Sequence, residues 1–311
     1  MKILVTGGAG FIGSHIVDAY VNAGHDVVII DNLSTGREKF INPKAEFIKC
    51  DIRDTTVRDI FAQDQFDVVN HHAAQMDVRL SVKDPIYDAE TNVIGLLNVF
   101  QNAVEHEVKK IIYASSGGVV YGEQDYFPAD EAHPKRPDCP YGVTKLAGEN
   151  YLYYYAKTFG VTYSAFRYAN VYGPRQNPHG EAGVIAIFLE KLFKDEQPII
   201  HGDGEQTRDF IYVGDVVRAN VAALTQGDTQ VFNIGTGIES NVNEIYQHLV
   251  ELTGVHKEEK HGPGKPGEQR RSVLAIDKAR EELGWQPSLD LRSGLAETVE
   301  FFQSHELEAG S

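Results

Sequence analysis

The segment TGGAGFIG follows directly on the apolar residues 3–5 and places Gly7, Gly10 and Gly13 at three-residue spacing. In a phosphate-binding turn the first glycine permits a sharp bend, the second lets the backbone approach a pyrophosphate, and the third lets a helix pack on the preceding strand. A helix that begins near Phe11 directs its N-terminal N–H groups at the anion. Because glycine-rich turns also end strands without binding anything, this interpretation needs support from the surrounding sequence.

A second apolar run, residues 27–30, supplies that support because it ends at Asp31, about 20 residues beyond the turn. An acid at this place binds the ribose hydroxyls of a dinucleotide and repels a 2′-phosphate, which favours NAD over NADP. The alternative role for Asp31 is a simple turn or cap residue at a strand end. The two features together predict a dinucleotide-binding domain with NAD as its cofactor.

Composition restricts the partners and the compartment. The formal net charge of −16 argues against non-specific binding of nucleic acid or anionic membranes, since the field of the whole molecule repels polyanions. The two cysteines, Cys50 and Cys139, lack metal-ligand spacing, so we expect reduced thiols, no metal site and a cytoplasmic protein. We also expect no secretory leader and no membrane span, because the chain enters a strand at once and no apolar run reaches about 18 residues.

The order of elements predicts an α/β fold, a Rossmann-type doubly wound parallel sheet with a smaller C-terminal substrate-binding lobe. Strand-like runs alternate with helix-like stretches, which is the pattern of parallel strands covered on both faces. We expect strands at 3–5, 27–30, 47–48, 67–69, 111–114 and 162–167, and helices at 11–23, 55–63, 89–105 and 143–158. We expect residues 1–170 to form the cofactor domain and residues 171–311 mainly the second lobe, with strand-like residues 209–213 and 231–234 rejoining the first sheet.

A second candidate site combines Tyr141 and Lys145, which lie in the segment PYGVTK. Residues four apart share a helix face, so a phenol and an ammonium at this spacing can reach one ligand. A tyrosine that acts as a base near neutral pH needs its pKa lowered by about 3 units, or roughly 4 kcal/mol. The Lys145 ammonium, together with the positive nicotinamide ring of oxidised NAD, can supply this shift.

The same helix holds another pair of this spacing, Tyr153 with Lys157. Twelve residues rotate the helix face by about 120° and move it about 18 Å, so both pairs cannot serve one site. Tyr141 lies at the start of the helix, whereas Tyr153 lies in the run of residues 151–155. We therefore assign the site to Tyr141 and expect Tyr153 to pack in the core or at a subunit interface.

Longer segments extend these features: HHAAQMDVRLSV from His71, SSGGVVYG from Ser115, RYANVYGPRQNP from Arg167 and GDGEQTRDFIYVGDV from Gly202. With the glycine turn and YxxxK, the chain resembles an extended short-chain dehydrogenase/reductase, and in particular the NAD-dependent nucleotide-sugar epimerases, especially UDP-glucose 4-epimerase. The resemblance covers essentially the whole chain. It implies an isomerase of carbohydrate metabolism with a UDP-sugar substrate. It also implies a homodimer, formed through helices that start near residues 89 and 143.

The resemblance also implies roles for particular residues. The catalytic residues would be Tyr141, Lys145 and Ser116. The cofactor contacts would be Gly7, Gly10, Phe11, Ile12, Gly13, Asp31, Asn32, Ser34, Gly36, Asp51, Ile52, Ala73, Ala74, Gln75, Asn92, Ser115, Tyr141, Lys145 and Tyr168. The substrate contacts would be Asn170, Gly183, Val184, Arg208, Lys265, Glu268, Arg271 and Ser272.

Two positions depart from the family pattern. The family commonly has Ser or Thr where this chain has Gly117, so Ser116 or Ser115 must supply the hydrogen bond to the sugar 4-hydroxyl, and we favour Ser116. Many relatives carry arginine where this chain has Lys265, so a neighbouring arginine, Arg270 or Arg271, would share the contact with the diphosphate.

In the implied reaction, the Tyr141 phenolate takes the proton of the sugar 4-hydroxyl and NAD stores the hydride from C4. The resulting 4-keto sugar rotates about its bond to the diphosphate before the hydride returns to its opposite face. A net nucleotide-sugar reductase and a non-catalytic NAD-binding sensor remain alternatives. A dehydratase is disfavoured because Gly117 and Gly118 stand where that chemistry needs acids. Ser272, at the position of a bulky tyrosine in relatives, leaves UDP-N-acetylglucosamine open as a substrate beside UDP-glucose and UDP-galactose.

Overall fold

The computed structural model describes residues 1–179, 183–264 and 269–309. Within these ranges the strands are β1 Lys2–Thr6, β2 Asp26–Asp31, β3 Glu46–Lys49, β4 Val68–His71, β5 Lys110–Ser116, β6 Thr162–Tyr168, β7 Asn170–Tyr172, β8 Ile200–His201, β9 Thr207–Tyr212, β10 Gln230–Ile234, β11 Glu239–Asn241 and β12 His261–Gly262. The helices are α1 Phe11–Asn22, α2 Thr56–Gln63, α3 Val78–Lys83, α4 Pro85–Ala89, α5 Leu96–Glu105, α6 Gly117–Val120, α7 Pro140–Phe159, α8 Val184–Phe193, α9 Val213–Ala222, α10 Val242–Thr253, α11 Asp277–Glu282 and α12 Leu291–Ala309. A π-helical turn, Glu90–Gly95, joins α4 to α5, and a 3₁₀ turn covers Glu38–Phe40.

The main sheet has seven strands in the order β10-β6-β5-β4-β1-β2-β3, and every pair in it is parallel. Leu4 of β1 stands opposite Val28 on one side and Val69 on the other. The chain moves outward through β2 and β3 and then returns to the far side of β1 with β4. Such a reversal opens a crevice at the carboxyl ends of β1 and β4, where this class of sheet binds its ligand. The arrangement confirms the predicted Rossmann-type sheet.

Both faces of this sheet are buried, which explains why its strands are almost continuously apolar. Leu4 packs with residues of α2, α5 and α7 on one face. Ile3 and Val5 point the other way and pack with residues of α1, α9 and α11. The helix crossovers that the sequence pattern predicts therefore cover the sheet from both sides.

A second core lies beyond β6. Helices α8, α10 and α12 pack together around Phe188, Tyr246 and Leu295. Beside them is a three-stranded sheet in the order β11-β9-β7. Residues 231–234 lie in β10, which joins the edge of the main sheet as expected. The expectation that residues 209–213 join that sheet is wrong, because β9 pairs with β7 and β11. The apolar pattern identifies a strand without specifying its neighbour.

The helix expected over 143–158 begins earlier, at Pro140, and ends before Gly160. Proline is favoured in the first helical turn, because its missing N–H has no partner there in any case. Gly160 closes the helix with φ of +78°, the left-handed conformation that glycine adopts readily. The earlier start places Tyr141 in the first turn of α7, beside the end of β5.

Candidate functional site

The glycine turn lies at the carboxyl end of β1, where the strand order reverses. Gly7 has φ of +72°, and a Cβ there would lie 2.7 Å from the backbone nitrogen of Ala73, which follows β4. A Cβ on Gly13 would overlap the carbonyl oxygen of Gly7. Gly10 has no side chain to cap α1, which leaves the N–H groups of the first helical turn to a ligand. The resulting cradle fits the pyrophosphate of a dinucleotide.

Asp31 ends β2 beside this turn, and its side chain is buried. Its Oδ2 accepts a hydrogen bond from Ala9 N at 3.0 Å, and its Oδ1 accepts one from Leu33 N at 2.8 Å. Burial raises the pKa of the Asp31 carboxyl, and these two N–H groups oppose that shift. A Cβ on Gly36 would lie 2.8 Å from Oδ1. The carboxylate thus connects the glycine turn to the loop in which a ribose is expected.

The loop after β3 carries a second carboxylate, Asp51. Arg53 donates to it from Nε and Nη2, both at 2.9 Å, and Asn32 donates from Nδ2 at 2.9 Å. The hydrogen bonds from Arg53 hold the pKa of Asp51 well below its ordinary value. Asn32 Oδ1 also accepts from Ser34 N at 2.9 Å, whereas the side chain of Ile52 packs in the core. Three of the predicted cofactor residues therefore form one hydrogen-bonded rim.

Two predicted cofactor residues, Gln75 and Asn92, form hydrogen bonds that hold the loop after β4 in place. Gln75 N donates to Asn92 Oδ1, and Asn92 Nδ2 donates to Gln75 O, both at 2.8 Å. Gln75 Nε2 also donates to Asp88 Oδ1 at 2.8 Å. These hydrogen bonds hold the loop after β4 in place, and the contact of Gln75 and Asn92 with the cofactor stays a prediction.

Tyr141 and Lys145 lie together in the first turns of α7. Lys145 is 4% exposed, and its Nζ donates to Ala114 O in β5 at 2.8 Å. The same Nζ lies 5.6 Å from the centroid of the Tyr141 ring, and Tyr141 N donates to Ser81 Oγ at 3.2 Å. Burial lowers the pKa of Lys145 to about 8, and the charge of Asp88 opposes that shift. The structure thus holds a cation beside a partly exposed phenol.

The two serines at the end of β5 face different surroundings. Ser115 Oγ donates to Glu149 Oε1 in α7 at 2.6 Å, and its contact with the cofactor stays a prediction. Ser116 lies directly before α6 and is partly exposed, which agrees with our preference for it as the partner of Tyr141. A Cβ on Gly117 would lie 2.5 Å from Leu274 Cδ1, and this contact explains the glycine in place of the family's Ser or Thr.

Tyr168, expected to contact the cofactor, lies in a buried network beneath the crevice. Its hydroxyl accepts from Asn220 Nδ2 at 2.8 Å and lies 3.1 Å from His72 Nε2. Its ring stacks on the His72 ring with centroids 5.9 Å apart. Burial raises the pKa of Tyr168 well above its ordinary value. The phenol therefore links β6 to the loop after β4 and to α9, and its contact with the cofactor stays a prediction.

The predicted substrate residues lie around the smaller sheet. Asn170 begins β7 and stands opposite Phe210 of β9, so Asn170 and Arg208, two residues before Phe210, point from the same face. Arg208 Nη1 donates to Thr207 O at 2.7 Å. Gly183 and Val184 form the N-terminus of α8. A guanidinium, an amide and a helix N-terminus on one lobe suit a diphosphate.

Arg271 is engaged elsewhere. Its Nε and Nη2 donate to the Glu239 carboxylate at 3.0 and 2.6 Å, and its guanidinium lies 3.9 Å from the centroid of the Phe127 ring. Arg271, which we expected to contact the substrate, is therefore paired with the Glu239 carboxylate in this structure. Lys265 and Glu268 lie outside the described residues.

Sequence reasoning missed Asp209, which organises this lobe next to Arg208. The buried Asp209 carboxylate accepts from Thr236 N and Oγ1 at 2.8 and 2.7 Å and from Gly237 N at 3.1 Å. Its own N–H donates to the carbonyl of Ser272, a buried residue, at 2.9 Å. Burial raises the pKa of Asp209, and the hydrogen bonds oppose this. The sequence signal that could have identified Asp209 is that it is the one acid in the otherwise apolar run of residues 209–213 after Arg208.

The rival pair of tyrosine and lysine forms no comparable site. Tyr153 is 59% exposed, and Lys157 Nζ lies 5.9 Å from its ring centroid. The suggestion that Tyr153 packs in the core of this chain is wrong, and a role at an interface between subunits stays a prediction.

The described residues form neither a metal-binding cluster nor a helix that could cross a membrane. No cluster of three or more His, Cys, Asp or Glu side chains in residues 1–179, 183–264 and 269–309 is arranged to bind a metal ion. The helices in this part of the chain are each too short or too polar to cross a lipid bilayer.

Comparison with known proteins gives consistent matches. Residues 3–235 match the NAD dependent epimerase/dehydratase family. The chain is 44% identical over 310 residues to the UDP-glucose 4-epimerase of Mycolicibacterium smegmatis, across 98% of this chain and 99% of that protein. The crystal structure of UDP-glucose 4-epimerase with UDP-glucose from Thermotoga maritima is similar at a TM-score of 0.97 and 46% identity, across 98% of this chain and 100% of that one.

A further solved structure has a related substrate. The UDP-N-acetylglucosamine 4-epimerase from Methanobrevibacter ruminantium M1, in complex with UDP-N-acetylmuramic acid, is similar at a TM-score of 0.93 and 34% identity, across 98% of each chain. The family match spans most of the chain, and these relatives match it almost end to end. The chain is thus a member of the NAD dependent epimerase/dehydratase family.

Proposed function

We propose that this chain interconverts UDP-glucose and UDP-galactose by NAD-dependent epimerisation at C4. The observation that carries the proposal is the placement of Tyr141 and Lys145 in the first turns of α7, with Lys145 tied to Ala114 at the end of β5. This placement sets a phenol and a buried ammonium at the carboxyl edge of the sheet that carries the glycine turn. The high identity to UDP-glucose 4-epimerases supports the same reaction.

The glycine turn is proposed to hold NAD, because side chains at Gly7 or Gly13 would fill the cradle that a pyrophosphate needs. Bound NAD would supply the reversible hydride acceptor that epimerisation at C4 of the sugar needs. The residues proposed to hold the cofactor are Gly7, Gly10, Phe11, Ile12, Gly13, Asp31, Asn32, Ser34, Gly36, Asp51, Ile52, Ala73, Ala74, Gln75, Asn92, Ser115, Tyr141, Lys145 and Tyr168.

Tyr141 acts as the base for the sugar 4-hydroxyl in this proposal. Its pKa must fall by about 3 units for work near neutral pH, which corresponds to roughly 4 kcal/mol of preference for the phenolate. The Lys145 ammonium contributes to this preference, because a buried charge is screened less by solvent than an exposed one. Ser116 Oγ is proposed to hold the same sugar hydroxyl.

Arg208, Asn170 and the N-terminus of α8 are proposed to anchor the UDP moiety. Binding energy from this unreacting part of the substrate keeps the oxidised intermediate in the site while the sugar turns. Ser272 is small where relatives carry a bulky tyrosine, which supports turnover of the N-acetylated UDP-hexoses as well. Residues 1–170 with α9, β10 and α11 form the cofactor lobe in this proposal, and most of the remaining residues form the nucleotide-sugar lobe.

We further propose a cytoplasmic homodimer. The apolar side chains that α3, α4, the π-helical turn and α7 expose are Val82, Ile86, Ile94, Val143, Tyr153, Tyr154 and Phe159. Two copies that meet on this face would form a four-helix interface. Light scattering on Ile86→Lys, at a residue 71% exposed, should show monomers. The matched variant Ile238→Lys, 67% exposed outside this face, should remain dimeric, and a wild-type monomer would contradict the proposal.

The test of activity is incubation of the purified protein, without added cofactor, with UDP-glucose, UDP-galactose and their N-acetylated counterparts, followed by chromatography of the products. We expect interconversion within a pair of epimers and NAD that copurifies with the protein. Stoichiometric consumption of added NADH would identify a net reductase. Bound NAD with no conversion of any of the four sugars would identify a sensor and contradict the proposal.

A further inference from the structure

A carboxylate is buried behind the first turns of α7, at Asp88 in α4, and no part of that residue is exposed. Its three side-chain partners are neutral. Gln75 Nε2 and Asn92 Nδ2 donate to Oδ1 at 2.8 and 3.1 Å, and Thr144 Oγ1 lies 2.9 Å from Oδ2. Burial of a charged carboxylate is costly unless an opposite charge balances it. A carboxylate that stays ionised here needs a cation within reach of its field.

Lys145 is such a cation. It directly follows Thr144 in α7, it is buried, and its Nζ donates to Ala114 O at 2.8 Å. The charge of Asp88 raises the pKa of Lys145 against the lowering effect of burial. Burial raises the pKa of Asp88, and the hydrogen bonds from Thr144 and Gln75 and the charge of Lys145 oppose that shift. The two side chains therefore stabilise each other's charged forms from neighbouring helices.

The other titratable groups around Lys145 are Tyr141 and Glu149 on its own helix and three residues of β4, β5 and the loop after β4. The Glu149 carboxylate, one turn further along α7, is paired with Arg167. The Tyr113 ring centroid lies 5.1 Å from Lys145 Nζ, and burial raises the pKa of Tyr113. Burial lowers the pKa of His71 and lowers that of His72 to about 3. These three groups are neutral near pH 7, so they cannot balance the ammonium.

We propose that Asp88 is a positioning residue for the reaction: its carboxylate balances the charge of Lys145 and, through Gln75 and Thr144, holds the loop after β4 against the first turns of α7. Without this carboxylate, Lys145 loses its proton at lower pH. The phenol of Tyr141 then loses the neighbouring cation over part of the working range. The kinetic consequence rests on the proposed catalytic roles of Tyr141 and Lys145, whereas the titration of Lys145 does not.

The test compares the holoenzyme with its Asp88→Asn variant, with lysine labelled at Cε for NMR and the Lys145 signal assigned by Lys145→Arg. We expect the pKa of Lys145 to be lower in Asp88→Asn by about one unit or more. The alkaline limb of the kcat–pH profile should shift in the same direction, with little change in KM. The control is Glu90→Gln, which removes one charge from an exposed position two residues along the same helical segment and should shift neither.

The outcomes separate the two proposals. A Lys145 that titrates at the same pH in Asp88→Asn and in the wild type would overturn the role of Asp88. A shifted titration with an unshifted kcat profile would support the charge pairing and contradict the catalytic role proposed for Lys145.

A reciprocal variant keeps the proposal testable if Asp88→Asn does not fold. In Lys145→Met, Asp88 loses its balancing charge, so the pKa of its carboxyl should rise, and the carbonyl stretch of a carboxylic acid should persist in the infrared spectrum to higher pH than in the wild type. The double variant Lys145→Met with Asp88→Asn should lack that band. A band that disappears at the same pH in Lys145→Met and in the wild type would overturn the proposal.

Discussion

Replacement of Glu149 by glutamine tests how α7 is fixed against the sheet. The side chains of Glu149 and Arg167 are 5% and 3% exposed. Arg167 donates from Nε to Oε1 at 3.0 Å and from Nη2 to Oε2 at 2.6 Å, and Ser115 Oγ donates to Oε1 at 2.6 Å. The pair joins the helix that carries Tyr141 to the ends of β5 and β6.

The expected loss follows from this burial. A glutamine keeps one acceptor for Arg167 but turns an NH₂ group toward its Nη2, so the guanidinium remains buried without an opposite charge. Removal of one partner of a buried ion pair costs about 3–5 kcal/mol of the free energy of unfolding. Arg167 keeps its hydrogen bond to Tyr121 Oη at 2.9 Å, so we expect a value toward the lower end of that range.

The assay is urea unfolding followed by the fluorescence of Trp285, the single tryptophan of the chain, which is buried in the core that also contains Phe166 of β6. The paired variant Glu149→Leu with Arg167→Met should lose less stability than the sum of its single changes, because no buried charge is left unpaired. Asp125→Asn, which breaks an exposed pair with Arg136, should have little effect. A loss below about 1 kcal/mol in Glu149→Gln would refute the reasoning, since that is the value of an exposed pair.

Three further predictions concern the cofactor lobe. Gly13→Ala should purify without NAD, since its Cβ would overlap the carbonyl oxygen of Gly7; NAD released on heating measures this, and a full complement would contradict it. Asp31→Ser should bind NADP better relative to NAD by calorimetry, because the acid that repels a 2′-phosphate is removed; an unchanged ratio would count against that role. Asp51 has a depressed pKa in the folded chain, so its contribution to stability is present above its ordinary value of 3.8 and is lost as pH falls toward the folded value. The melting temperature of Asp51→Asn should therefore fall less steeply than that of the wild type below pH 3.8, and equal slopes would contradict the assignment.

The sequence was most informative where the chemistry is local. Gly7, Gly13 and Asp31 lie within one strand–helix–strand unit, so spacing alone predicted that the glycine turn and the carboxylate meet at one edge of the sheet. Tyr141 and Lys145 were identifiable for the same reason, because a helix fixes the relation between residues four apart.

The residues that hold the site together were missed because their partners are remote in sequence. Asp88 and Thr144 are 56 positions apart, and the residues that Asp209 binds come from segments near 236 and 272. No periodicity or motif encodes such contacts, which exist only once the sheet has brought the segments together. The same reason explains why residues 209–213 could be recognised as a strand but not assigned to the correct sheet.

The central claim is that the Tyr141 phenolate, beside the buried Lys145, removes the proton of the sugar 4-hydroxyl. The most direct test is the conversion of UDP-galactose by Tyr141→Phe protein that is shown to contain NAD. The account predicts retained NAD and a rate lower by at least about 100-fold, as expected for loss of a positioned general base. Conversion at the wild-type rate by the NAD-loaded variant would contradict it.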